Sequence, residues 1–346
     1  MEQSEQSQTD HHQLSCTKTI TEESKTGHTY LFRPSWYCRN RHLQTILPYL
    51  FPAPAHPPYQ RQRLELADGD FLDLDRLDAN SAIARVILLH GLEGCSQSHY
   101  IRALAMQLWH IGFDVIVMNF RGCSGEPNRL PRRYHAADTG DLQTVLSHLT
   151  EHATGIPTGL AGFSLGGSIV LKWLAEHSEQ QIVQAGAAIS VPFDLAAAAD
   201  YLNQGVNRIY QFKLLRQLKH NTLQKMRQIE MPFSQVTVCK CRNFRQFDRL
   251  VTAPLHGFRD ENDYYQQAST RPLLHQITTP TLILHSRDDP FLPTIAIPRL
   301  DELSPAITMP EIHYGGHVGF LANCRPGQTQ SRLPVHLAGY FHRMLC

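Results

Sequence analysis

The residues best suited to chemistry are Gly162-Phe163-Ser164-Leu165-Gly166, followed by Gly167 and a helix-compatible run to His177. A serine held on a strained strand-to-helix turn needs neighbours with almost no side chain, and glycines two residues to either side meet that need. The helix that begins there favours negative charge developing beside its first turn. Serine becomes a nucleophile at neutral pH only with a base beside it, and that base needs an orienting carboxylate. Asp288 and Asp289, after the apolar run 281–284, are the carboxylate candidates. The base candidate is His317, set among Gly315, Gly316 and Gly319, with His313 as its local competitor. Serine, then acid, then histidine is the chain order expected when a serine nucleophile sits on an open parallel sheet. An oxyanion also needs donors. The turn His90-Gly91-Leu92-Glu93-Gly94 could aim the Leu92 N–H at the same point as the N–H of Leu165. Taken singly, these segments read equally well as a glycine-rich turn, a helix cap or a surface histidine. Four of them in the right order and on the right loops argue for a site.

Such loops must hang from a sheet. Short apolar runs at 86–89, 115–118, 185–189 and 281–284 are bounded by turn residues, and 158–161 leads into the serine turn although it is poor in β-branched residues. Helical periodicity fills the gaps at 101–109, 141–149 and 165–175. Asp68-Gly69-Asp70 between two apolar stretches marks a hairpin. Strands alternating with helices predict an α/β fold with a mostly parallel central sheet covered on both faces. The alternation stops between Asp194 and Ser269. There Val206, Ile209, Phe212, Leu215, Leu218 and Met226 recur mostly at spacings of three, which reads as one apolar helix face. The expected organisation is a disordered segment 1–27 and one domain, 28–346, with a helical cap at 194–269. The proline-punctuated stretch 48–58 reads as irregular surface chain.

The chain has 346 residues, 42% of them hydrophobic, and a net charge of +1, which argues against a dedicated nucleic-acid binder. That balance conceals a contrast. Residues 201–250 hold ten Lys/Arg against two acids, a net of +8, and leave −7 for the rest. No apolar run approaches the ~18–20 residues of a membrane span, and the polar start, 1–13, is unlike a signal peptide. Eight scattered cysteines do not form a dense disulfide framework. A cytoplasmic protein is expected, with Cys239 and Cys241 as free thiols.

Several further motifs carry a resemblance. Phe32-Arg33-Pro34-Ser35-Trp36, Arg39-Asn40 with His42-Leu43-Gln44-Thr45, and His90-Gly91-Leu92-Glu93-Gly94 are similar to those of the YheT group in the α/β-hydrolase superfamily. So are Asn119-Phe120-Arg121-Gly122-Cys123-Ser124-Gly125-Glu126-Pro127-Asn128, Val191-Pro192-Phe193-Asp194-Leu195, Ala253-Pro254-Leu255-His256-Gly257-Phe258 and Asp288-Asp289-Pro290-Phe291. The likeness spans about residues 30–340. It implies the α/β-hydrolase fold and a serine hydrolase with Ser164 as nucleophile, Asp289 as acid and His317 as base. Pro293, four residues after Asp289, matches the loop that follows the acid in such hydrolases, which favours Asp289 over Asp288. The segment 121–128 reads as a structural loop beside the site, and 42–45 as packing of an N-terminal extension.

The expected activity is cleavage of carboxylic esters, with Leu92 and Leu165 N–H groups holding the oxyanion. Nothing in the residues requires a metal or an organic cofactor. A thioesterase or acyltransferase could use the same three residues, and a non-catalytic binding protein on this fold would show them damaged. The expected partner is a small or lipid ester. Neither nucleic acid nor an integral membrane segment is expected, and the +8 block could touch anionic lipid.

Overall fold

Gly69 takes a φ of +86°, and the turn it makes closes a hairpin between β1 (Gln60–Glu65) and β2 (Phe71–Leu77). The structure, a computed structural model, describes residues 32, 34, 36–50, 56–152, 155–322 and 330–346. The segment 1–27 lies outside them. The other strands of the main sheet are β3 (Ala84–Leu89), β4 (Phe113–Asn119), β5 (Thr158–Phe163), β6 (Ala185–Ile189), β7 (Thr281–Leu284) and β8 (Ile307–Thr308). Their order is β1-β2-β4-β3-β5-β6-β7-β8. β2 runs antiparallel to β1 and β4, and every pairing from β4 to β8 is parallel.

Every residue of β3 to β7 is buried, as a parallel sheet covered on both faces requires. Helices His99–His110 and Leu333–Leu345 share one apolar core with Val86 and Leu88, while Gly140–His152 and Leu165–Glu176 share the other with Ile87 and Leu89. The poverty of β5 in branched side chains has a packing cause. A Cβ on Gly159 would lie 2.6 Å from the Phe341 ring of the last helix. Close helix approach, not strand propensity, sets the residues there.

Between β6 and β7 the chain forms helices Leu195–Leu202, Arg208–Lys225, Gln235–Lys240 and Glu261–Ala268, with shorter turns among them. The expected apolar stripe does not survive. The face of Arg208–Lys225 turned inward is Gln211, Leu215, Leu218, Thr222 and Lys225, whereas Val206, Ile209 and Phe212 are exposed. An α-helix turns by 100° per residue, so each step of three slips by about 60°, and three such steps from Ile209 reach the opposite side at Leu218.

Part of the charge block is also engaged by other groups of the chain. Arg245 pairs with Asp200 and Arg249 with Glu261, both acids lying outside the window 201–250. Lys219 donates to the carbonyls of Cys239 and Cys241. Lys225 donates to Asn128 Oδ1 and Arg132 O, and burial pushes its ammonium down to about 7.

The 121–128 loop is tied by ions. Buried Arg121 makes two bonds to Asp141, at 2.7 and 2.6 Å, and one each at 2.8 Å to Asp68 and Asp70. Removing one partner of such a cluster leaves charges buried without compensation. Arg121→Met should therefore lower unfolding stability by ~3–5 kcal/mol in urea titration. A loss below ~1 kcal/mol, the range of an exposed pair, would rule out a structural role for the cluster.

Candidate active site

Ser164 follows β5 with φ 52° and ψ −118°, a strained conformation that turns its side chain out at the carboxyl end of the sheet. The glycines around it are sterically required. A Cβ on Gly162 would fall 2.2 Å from Gly166 O, and one on Gly166 would fall 2.5 Å from His90 O. The strand ends bring the other groups to the same edge, where open α/β sheets bind ligands.

The structure places Ser164, Asp289 and His317 in one chain of hydrogen bonds. His317 Nε2 lies 3.1 Å from Ser164 Oγ, and His317 Nδ1 lies 2.9 Å from Asp289 Oδ2. Asp289 is buried, and its Oδ1 accepts the Phe291 N–H at 2.7 Å. Phe291 lies flat on the imidazole, with ring centroids 3.9 Å apart and planes 7° from parallel. Asp288 does something else. Its Oδ1 accepts the N–H groups of Gly315 and Gly316 at 3.0 and 2.9 Å, so it shapes the turn that carries His317. Burial raises the pKa of the Asp288 carboxyl. His313 points to Glu311 instead.

The turn after β3 approaches the serine closely, since a Cβ on Gly91 would lie 3.3 Å from Ser164 Cβ. It is held by its neighbours. Gly91 N–H donates to Tyr100 OH and Glu93 N–H to Tyr134 OH. His90 spans Gly91 O and the Phe120 N–H, and full burial holds this imidazole down to about 4. Neutral at physiological pH, it can donate from Nδ1 and accept at Nε2. Leu92 and Leu165 both line the cavity beside Ser164 and His317.

That cavity measures about 890 Å³ and runs beneath the helices that follow β6. Leu195, Ala198, Leu202, Phe244, Phe247 and Val251 supply much of its apolar wall. Another part of the wall carries His135, His256 and Asp248, where burial lowers the imidazoles to about 3 and about 2 and raises the carboxyl to about 6. Among the described residues no group of three or more His, Cys, Asp or Glu is placed to hold a metal ion.

Three supports of the histidine loop escape a reading of the sequence. Thr45 Oγ1 accepts the His317 N–H at 3.0 Å, Ser190 Oγ accepts the Val318 N–H at 3.0 Å, and Gln44 brackets Leu321 with two bonds. These partners lie up to 277 positions apart. The motif His42 to Thr45 was the available signal, and its place in a short helix, Arg41–Ile46, turns what reads as plain packing into a clamp on His317. Thr45→Val should lower kcat about tenfold with KM unchanged, since it leaves the His317 N–H unpaired beside its own imidazole. Thr45→Ser should restore the rate; an unaltered kcat in the valine variant would show that the clamp is dispensable.

Comparison with known proteins agrees with this architecture. A family model described as the alpha/beta hydrolase fold matches residues 84–323. YheT of Escherichia coli, proposed to be an esterase, is 38% identical over 337 residues, which cover 95% of this chain and 99% of that protein. Human phospholipase ABHD3 is 29% identical over 311 residues, 87% of this chain and 76% of that protein. Among solved structures, an esterase of Pyrococcus furiosus superposes with a TM-score of 0.56 at 15% identity, over 85% of this chain and 98% of that one, a likeness of fold. The chain belongs to the α/β-hydrolase fold family, in its YheT-like group of carboxylic ester hydrolases.

Proposed function

We propose that the protein cleaves carboxylic esters with an apolar acyl group through an acyl-enzyme on Ser164. The observation that carries this reading is His317, bonded on one side to Ser164 and on the other to Asp289, at the wall of a largely apolar cavity. His317 Nε2 takes the Ser164 proton as Oγ attacks the ester carbonyl, and Asp289 holds Nδ1–H toward itself so that Nε2 is free to accept. The N–H groups of Leu92 and Leu165 take up the negative charge on the carbonyl oxygen. Collapse of the tetrahedral intermediate breaks the bond to the alkoxy oxygen, which leaves with the proton from His317. Water, deprotonated by the same imidazole, then releases the acid.

The helices of 194–269 serve as the cap that encloses the acyl chain and keeps water from the acyl-enzyme. The similarity to a phospholipase supports a lipid-like ester as substrate. A fluorophosphonate should add one phosphonyl group to the protein, mapped by peptide mass to Ser164, with loss of ester turnover in proportion. Addition at another residue, with Ser164 unmodified and turnover lost, would overturn the assignment.

A further inference from the structure

The outward face of helix Arg208–Lys225 is the reverse of what a soluble helix presents. Ile209, Phe212, Lys213 and Arg216 recur at spacings of three and four and share one side, opposite to buried Leu215 and Leu218. Ile209 and Phe212 are 67% and 66% exposed, and Lys213 and Arg216 are exposed beside them. Among the described residues no acidic group forms an ion pair with Lys213 or Arg216, in contrast to Arg245 and Arg249 farther along. A second segment extends this face. Tyr49 and Leu50 are 59% and 71% exposed, and Lys213 Nζ stands 4.8 Å from the centre of the Tyr49 ring. Tyr49, Leu50, Ile209 and Lys213 all line the cavity that holds Ser164. The apolar and cationic face therefore borders the cavity that leads to the site.

We propose that this face is a docking surface for an anionic phospholipid bilayer, which it meets with the mouth of the active-site cavity turned toward the lipid. Large apolar side chains alternating with cations of one sign match the boundary between acyl chains and anionic headgroups. A second copy of the chain fits the same face poorly. A twofold contact would bring Lys213 and Arg216 toward their own copies and would seal the cavity entrance. Docking on lipid instead leaves the entrance open to the phase in which a lipid ester is dissolved, and Phe212 sinks below the headgroups while Lys213 and Arg216 stay among them. This surface is narrower than the basic block as a whole, because Lys219, Lys225, Arg245 and Arg249 are engaged with other parts of the chain. The inference gives the ester-hydrolase reading its interface.

The test is co-sedimentation of the full chain with vesicles of phosphatidylcholine alone and of phosphatidylcholine mixed with phosphatidylglycerol. The native protein should bind the mixed vesicles and leave the neutral ones largely unbound. Phe212→Ser should weaken binding about tenfold or more, from lost apolar burial. Arg216→Ser should weaken it about fivefold, and added salt should do the same. Neither side chain lines the cavity, so turnover of a water-soluble acetate ester should be unchanged in both variants, which also shows that they fold. No binding to the mixed vesicles, equal binding to both kinds, or a native dimer that Phe212→Ser makes monomeric would each overturn the proposal. Ser164→Ala protein should bind vesicles like the native chain. Failure of binding with soluble turnover intact therefore counts against the surface alone, and absent turnover with binding intact counts against the ester-hydrolase reading alone.

Discussion

Ser164→Ala should abolish measurable turnover of p-nitrophenyl esters, with kcat falling by roughly 10⁴ to 10⁶. The size of that loss follows from the geometry. The hydroxyl is the atom within 3.1 Å of His317 Nε2, and without it the imidazole has no bound nucleophile to activate. In the proposed mechanism the N–H groups of Leu92 and Leu165 and the enclosure of the cavity would remain, worth some 10³ to 10⁴ over water in comparable sites. The fold should survive the change. Alanine carries the same Cβ as serine at the positive φ, so the backbone strain is nearly the same, and the bonds of the turn are made by the Ser164 N–H to Ile189 O and the Ser168 N–H to Ser164 O. Ser168→Ala is the matched control. Its hydroxyl is buried one turn along the same helix with no partner among the described residues, and it should keep full activity. Ester turnover by well-folded Ser164→Ala within tenfold of the native rate would sink the nucleophile assignment.

The parts of this molecule legible in the sequence are those in which neighbouring residues decide one another's environment. The strands at 84–89, 113–119, 185–189 and 281–284 read as short apolar runs because a parallel sheet buries both faces, and the helix after Ser164 reads from its glycines and its periodicity. β8 could not be read. It is two residues long, Ile307–Thr308, and its pairing with β7 is a tertiary event. The face of helix Arg208–Lys225 is not legible in the spacing, because a mean step of three looks helical while it precesses around the axis. Its polar inward residues are satisfied at long range. Gln211 bonds Asn203 Oδ1 and the Phe244 N–H, and Thr222 bonds Arg133. In the site, the order of Ser164, Asp289 and His317 is written along the chain. The clamp of Thr45, Ser190 and Asp288 on the histidine loop is not, because each contact joins segments that only the folded sheet brings together.

The adjacent aspartates, of which the family resemblance favours Asp289, should separate by about three orders of magnitude in rate. Asp289→Asn should lower kcat about 10⁴-fold, the loss expected when the base is held in the wrong tautomer. Asp289 Oδ1 accepts the Phe291 N–H, so the one oxygen of an asparagine is drawn to that donor and its NH₂ group is turned toward His317 Nδ1. An imidazole that accepts at Nδ1 carries its proton on Nε2, where it cannot take the proton of Ser164. Asp288→Asn meets different demands. The oxygen that Asp288 uses, Oδ1, accepts from Gly315 and Gly316, and an amide oxygen can do the same. Its Oδ2 is buried without a partner among the described residues, so exchange for NH₂ removes no bond and removes a carboxylate that burial already disfavours. The rate should fall by no more than about tenfold, the cost of one imperfect hydrogen bond in the turn. Steady-state kcat for the two variants, measured at the pH optimum of the native protein, decides the matter: a small loss for Asp289→Asn with a large one for Asp288→Asn would transfer the acid role to Asp288 and require His317 to rotate away from the carboxylate it now faces.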